Sequence, residues 1–381
     1  MASQPAARFK ESAEQKRPAP SSGVAGWIVW VATTAAVFLL VEGFLFREGW
    51  YYKYFEPDSS AGWVELHLYS LRRFQPKGRH EVLVVGDSRI AEGFSAKRAT
   101  EVSQKRNLYF WDMGIAGAPP RVWYYVLRDA DPSRRRFEAI VLAMDHYAEE
   151  ETFDSMPARL IDLNFVIARL RLADVWGFAS SMKTAEQRRA ALVGAILKGT
   201  VMKYDARAFL EDIRGRIKKS KDWREHGLDY YLGYSGLQRD LGGLTADWQA
   251  RTLHYPPGIS QAEKDSIHAS LMPSFPPQSG EMTRYRFEWL GRIVALYRNS
   301  PTRIIFIEMP RGPLPQPERA APTKFLDWAR TQPNVSVIDQ TTFRDLETTD
   351  RFFDGMHMNR IGRTEFTTRL AEKVQELLPA H

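Results

Sequence analysis

The chain has 381 residues, 44% of them hydrophobic and 26% charged, a globular composition that excludes bulk disorder. It holds no cysteine, which excludes disulfides, thiolate metal sites and a cysteine nucleophile. The formal charge of +7 is compatible with nucleic acid, anionic lipid or an acidic polymer and selects none of them, while the absence of a compact basic stripe or zinc-finger spacing disfavours nucleic acid as a partner.

Residues 1–23 are rich in Ser, Pro, Ala and Lys without periodicity and read as a disordered tail. Residues 24–41 form an uncharged apolar run, extended past Glu42 to residue 46, close to the roughly 20 residues that cross a bilayer as a helix. Arg8, Lys10, Lys16 and Arg17 precede it, which predicts a single-pass anchor with a cytoplasmic N-terminus and everything after Arg47 outside the cytoplasm, in the periplasm if the envelope is Gram-negative. Trp27 and Trp30 near one end, and Trp50, Tyr51 and Tyr52 past the other, read as interfacial anchors. A cleaved signal peptide competes with this reading, but its apolar core is usually shorter and no small-x-small site follows.

Residues 47–80 are expected to connect the anchor to the rest, with a short helix around 63–73. From Glu81 the texture becomes an α/β alternation: a strand over 81–85, a helix over 96–104, a strand over 107–113, a helix opening at Pro120 and a strand over 139–144. This spacing predicts a parallel sheet covered on both faces. Residues 149–300 break the alternation with amphipathic segments at 158–173, 185–198 and 206–219, read as a helical insertion or lid on one domain spanning 81–381. Strands return at 303–307 and 335–338, and a last helix over 359–378 is expected to place Ile361, Phe366, Leu370, Val374 and Leu377 on one face. The basic run 214–221 reads as a solvated helix face, with an anionic partner or lipid surface as the sharper alternative.

Two short blocks carry chemistry. Gly86-Asp87-Ser88 follows a buried strand, at the sheet edge where α/β folds place ligands; turn chemistry alone would also explain these three residue types. Asp354-Gly355-Met356-His357 precedes the last helix. A serine hydroxyl needs a neighbouring base, and that base needs an orienting acid, so Ser88, His357 and Asp354 form a candidate catalytic triad. Taken singly, the aspartate could be a helix cap and the histidine a surface residue. His67, His80, His226, His254 and His268 lack ligand spacing, so no metal and no cofactor is expected. Trp111 and Trp123 are weak candidates for a place near the site.

Together these blocks resemble the SGNH/GDSL hydrolase superfamily, in which Gly-Asp-Ser follows the first strand and Asp-x-x-His precedes the C-terminal helix. The resemblance covers about 81–147 and 302 to the end. It implies a three-layer α/β/α, flavodoxin-like parallel sheet and a serine esterase or O-acyltransferase with no cofactor. The oxyanion hole would be built from the N–H of Ser88 and of a glycine after the second strand, Gly117 being the better match and Gly114 the alternative. One block departs: where the family carries a donor asparagine after the third strand, this chain has Asp145-His146-Tyr147. An ionised Asp145 only accepts, leaving His146 or Tyr147 as the possible additional donor.

The single anchor with an exported domain is similar to bacterial proteins that add or remove acyl groups, most plausibly acetyl, on extracytoplasmic polysaccharides. That likeness implies an acylated envelope polymer as partner, and a multi-span membrane acyltransferase as acyl supplier. A lipid esterase or thioesterase of the same fold, and a catalytically silent domain that binds glycan or scaffolds an envelope complex, are the alternatives.

Overall fold

The computed structural model describes residues 23–47, 49–145, 160–238, 242–273, 280–315 and 324–379. The first helix, α1 (Gly23–Leu40), continues as a π-helical stretch Val41–Phe46. Within the 22 residues Ala25–Phe46 an 18-residue stretch has a mean hydropathy of 2.1 and almost no burial, so one N-terminal helix is long and apolar enough to cross a membrane. Of the aromatic residues expected as interfacial anchors, Trp27, Trp30 and Trp50 are exposed, whereas Tyr51 and Tyr52 are buried in the domain core.

The short α2 (Trp50–Tyr54) and α3 (Ser60–Arg73) follow. Ser59 caps α3 by accepting from the Gly62 N–H at 3.0 Å. Although these residues read as a connector, α3 buries Ala61, Val64, Leu68 and Leu71 in the main core. Then come β1 (His80–Gly86), α4 (Ser88–Gly93), α5 (Ala96–Val102), β2 (Leu108–Gly114), α6 (Pro120–Ala130) and β3 (Phe137–Met144). The middle of the chain supplies α7 (Asp162–Val166), α8 (Val175–Ser180), α9 (Ala185–Ile196), α10 (Gly199–Glu211) and α11 (Ile213–Gly233). A small hairpin, β4 (Thr245–Asp247) with β5 (Thr252–His254), leads to α12 (Gln261–Leu271) and α13 (Gly280–Leu296). The chain closes with β6 (Arg303–Glu308), α14 (Lys324–Arg330), β7 (Val335–Val337) and α15 (Arg360–Leu377).

The main sheet runs β2-β1-β3-β6-β7, and its pairings are parallel. Strand alternation splits its side chains between two cores. Leu83, Val85, Ile140 and Leu142 face α3, α6 and α13; Val82, Val84, Ala139 and Val141 face α4, α5 and α15. Both faces of the sheet are therefore covered by helices, as the continuous apolar strands require.

Three helical expectations shift. Among the described residues of 158–173, only Asp162–Val166 is α-helical, followed by a 3-10 turn at Leu172–Asp174. The amphipathic stretch 206–219 is not one helix: it breaks at Asp212, whose side chain accepts from the Gly215 N–H at 3.0 Å and starts α11. On α15 the buried face is Gly362, Arg363, Phe366, Thr367, Leu370, Ala371 and Val374, while Ile361 is 55% exposed. An arginine thus occupies the buried turn that the apolar pattern assigned to an isoleucine.

Candidate active site

The β1 strand ends at Gly86, and Ser88 opens α4 two residues later. Asp87 caps this helix, accepting from the Arg89 N–H at 2.9 Å. The need for glycine at 86 is packing rather than a left-handed turn, since a Cβ there would lie 2.4 Å from Ile90 Cγ1. At Gly114, paired with Gly86 across the sheet, a Cβ would lie 2.3 Å from the backbone nitrogen of Ala91. Two bare positions at neighbouring strand ends let α4 sit directly on the sheet edge, holding Ser88 there half-buried.

The other half arrives from the far end of the sequence. Asp354 is buried. Its Oδ1 accepts from the backbone N–H of Met356 (2.8 Å) and His357 (2.6 Å), an Asx-type turn closed by Phe353 N–H to the His357 carbonyl at 2.8 Å. That leaves Oδ2 facing His357 Nδ1 at 2.8 Å. His357 Nε2 lies 2.9 Å from Ser88 Oγ. A carboxylate can only accept, so Nδ1 carries the proton and Nε2 is left to accept from the serine hydroxyl. The structure therefore brings Ser88, His357 and Asp354 into one hydrogen-bonded chain. The same turn is held by Asn359, which caps α15 by accepting from Ile361 (2.9 Å) and Gly362 (3.1 Å), and by Gly355 N–H to the Leu271 carbonyl at 2.7 Å.

The two glycines differ. Gly114 N–H donates to Asp112 Oδ1 at 2.7 Å, so it is committed within the strand and is not a free oxyanion donor. Gly117 has φ +72 in a turn closed by Ala118 N–H to the Ile115 carbonyl at 2.9 Å, and this turn begins beside β1, where Ile115 N–H donates to the Gly86 carbonyl at 3.0 Å. Ser88 N–H, at the first position of α4, has no acceptor within that helix. His146 and Tyr147, the possible additional donors, lie outside the described residues.

Asp145 is ion-paired: its Oδ1 is 3.2 Å from Nη1 of Arg89, the buried residue following Ser88. Burial and the nearby Asp145 charge push the Asp87 carboxyl up to about 6, against the pull of Arg89. Burial draws the Arg286 guanidinium down to about 10, opposed by Asp145 and Glu308. The carboxyl edge of the sheet thus carries half-buried Asp87 and Asp145 beside buried Arg89 and Arg286, rather than the neutral amide the family resemblance implied.

A second group escaped the sequence reading. Arg363 Nη1 donates to the carbonyls of Ala91 and Glu92, 2.8 Å each, tying α15 to the end of α4. Its guanidinium lies 4.8 Å from the ring centre of Tyr234. Burial pushes the carboxyl of nearby Asp112 up to about 7, with the Arg363 charge pulling the other way. Tyr231 donates to the Asp112 carbonyl and Tyr234 to Glu92, and Arg360 N–H donates to the Leu237 carbonyl at 2.8 Å. The one available signal was a polar residue falling on the buried stripe of α15. Trp111 and Trp123 belong to the core on the opposite face from α4; neither is at the site. No family model and no curated protein matches the chain.

Proposed function

We propose that this protein is a serine acyl-transfer enzyme that carries an acyl group, most plausibly acetyl, to or from an extracytoplasmic polysaccharide. The observation that carries the reading is the continuous relay Asp354 Oδ2, His357 Nδ1, His357 Nε2, Ser88 Oγ at 2.8 and 2.9 Å. In the first half-reaction the Ser88 proton passes to His357 Nε2 as Oγ bonds to the ester carbonyl carbon. The bond to the donor's leaving oxygen then breaks and takes that proton. The N–H groups of Ser88 and Gly117 receive the developing oxyanion. A sugar hydroxyl, or water, next gives its proton to His357 Nε2 and attacks the acyl carbon; the bond from that carbon to Ser88 Oγ breaks, and Oγ takes the proton back from Nε2.

The SGNH/GDSL kinship belongs to this proposal. It is supported by the sheet order, which in sheet numbering is the doubly wound 2-1-3-4-5 arrangement with ligands at the carboxyl ends of the strands, and by the order of the two blocks along the chain. The anchored, extracytoplasmic placement is supported by α1 and the cations that precede it.

Polysaccharide is favoured over lipid by the shape of the surroundings. An open cleft of about 400 Å³ lies beside the catalytic turn; its lining is mainly apolar, with Leu244, Ile259, Ile267, Leu271 and Phe353 beside Ser266 and Ser270, so its openness and not its polarity supports a polysaccharide. The apolar cavity between α3, β2 and α11 has only about 30 Å³, room for one or two waters and not for an acyl chain. A silent, glycan-binding reading draws on Asp145, which is paired to Arg89 where a donor would help catalysis.

Mass spectrometry after treatment with a fluorophosphonate decides between the two. An adduct on Ser88, absent in Ser88→Ala, is expected; a folded protein with no adduct overturns the enzyme reading. Incubation with an acetyl-ester donor and oligosaccharides should then yield acetylated sugar; free acetate alone would make the enzyme an esterase.

A further inference from the structure

Positions 183 to 224 hold twelve Lys and Arg against five Asp and Glu, an excess equal to the +7 of the entire chain. Over the full lengths of α9, α10 and α11 (residues 185–233) eleven Lys and Arg stand against seven Asp and Glu, so these helices carry +4 of that +7. The same region exposes large apolar side chains: Val193 and Ile196 on the outer face of α9, Leu197 at the bend, Tyr204 on α10, and Trp176, 75% exposed, on α8 packed along α9. Exposed cations, Arg189, Lys203 and Arg207, share these faces. Apolar anchors interleaved with Lys and Arg are the pattern of a helix surface lying in a membrane interface.

Bonds to α1 fix where this surface sits. Glu42, one turn before the end of the apolar helix, is buried and accepts the backbone N–H groups of Lys198 and Gly199, the latter at 3.1 Å. Its carboxylate thereby caps the start of α10. Arg47, the first residue past the apolar stretch, donates to the Ile196 carbonyl, and Lys198 Nζ lies 3.5 Å from the Arg47 carbonyl. The α9–α10 bend is thus held at the level where the apolar helix ends.

We propose that the α8–α10 corner lies in the headgroup layer of an anionic bilayer beside α1, with Val193, Ile196 and Leu197 at the acyl boundary and the surrounding Lys and Arg over lipid phosphates. This rests on α1 being a membrane span. The full chain has no cysteine, so single substitutions Val193→Cys, Ile196→Cys, Phe38→Cys and Gln261→Cys can each carry one nitroxide. The labelled protein is reconstituted in vesicles of phosphatidylcholine with phosphatidylglycerol. Labels at 193 and 196 should collide with oxygen several-fold more, relative to a water-soluble nickel complex, than the label at 261 on α12. In phosphatidylcholine alone they should move toward the aqueous value. Aqueous behaviour at 193 and 196 with lipid behaviour at 38 overturns this proposal; aqueous behaviour at 38 overturns the span itself. Unchanged depth without phosphatidylglycerol overturns the anionic component.

Discussion

Asp354→Asn is the sharpest test of the relay, because the turn dictates how the amide must sit. Asp354 Oδ1 accepts two backbone N–H groups, from Met356 and His357; the asparagine carbonyl must take that place, since its NH2 would leave both donors unpaired. The NH2 then stands where Oδ2 stood, 2.8 Å from His357 Nδ1, and donates to it. That forces the imidazole proton onto Nε2, which now donates to Ser88 Oγ and cannot take its proton. A wrong-tautomer change of this kind costs a serine triad about 10⁴ in rate, equivalent to roughly 5 kcal/mol. The turn keeps its two cap bonds, so the thermal midpoint should barely move. The assay is the pseudo-first-order rate of fluorophosphonate addition to Ser88, followed by intact mass, alongside circular dichroism melting. A folded Asp354→Asn variant reacting within tenfold of the parent would refute the relay.

Other perturbations test its supports. Gly114→Ala must push α4 off the strand end, because the new Cβ would lie 2.3 Å from a backbone nitrogen; a loss of about 1–3 kcal/mol and slower Ser88 labelling are expected in melts and adduct kinetics. Arg363→Met removes both bonds to the end of α4; labelling should slow on the order of 100-fold, with partial recovery in Arg363→Lys, while a rate equal to the parent's would show that α4 holds its place unaided. Asp112 has its carboxyl raised to about 7 in the fold, above an unfolded value of roughly 3.9. The folded state therefore holds the extra proton between these values, so stability falls as pH rises through that window and is flat above it; urea midpoints across the window should lose this fall in Asp112→Asn. Glu42→Ala strips the acceptor from the Lys198 and Gly199 N–H groups; a cost of about 1–2 kcal/mol and faster hydrogen exchange at these two amides are expected.

What could be read from sequence divides along sequence distance. The strands of the main sheet are apolar runs whose only stable setting is a parallel sheet covered on both sides, so β1, β2, β3, β6 and β7 appear within a few residues of where the pattern puts them. Ser88, Asp354 and His357 stood out because nucleophile, acid and base are few chemical types with fixed local spacing. Side-chain partners across long separations leave no periodic trace. Arg363 with the carbonyls of Ala91 and Glu92, Arg89 with Asp145, and Glu42 with the start of α10 are each a polar residue within an apolar stretch or beside a motif, meaningful only once the fold supplies the partner. Tyr51 and Tyr52 misled for the same reason: an aromatic cluster after an apolar helix has the same composition whether it faces headgroups or a core.

The middle of the chain also has a mechanical consequence for the site. Its α10 starts on Glu42 and its α11 is 21 residues long, about 31 Å at the helical rise. Near its start α11 is bonded to the segment just after α1, through Arg216 to Glu56 (2.7 Å) and Asp58 (2.9 Å) and Ser220 Oγ to the Lys53 carbonyl (3.0 Å). Toward its far end Tyr231 and Tyr234 reach Asp112 and Glu92, and Leu237 receives the first N–H of α15. One rigid helix therefore spans from the residues that follow the apolar helix to those that brace both halves of the triad. A flexible tether would let the serine sample any height above a membrane. A helix fixed at both ends sets one height and one orientation, which is what the acyl transfer proposed above would require if α1 spans a membrane.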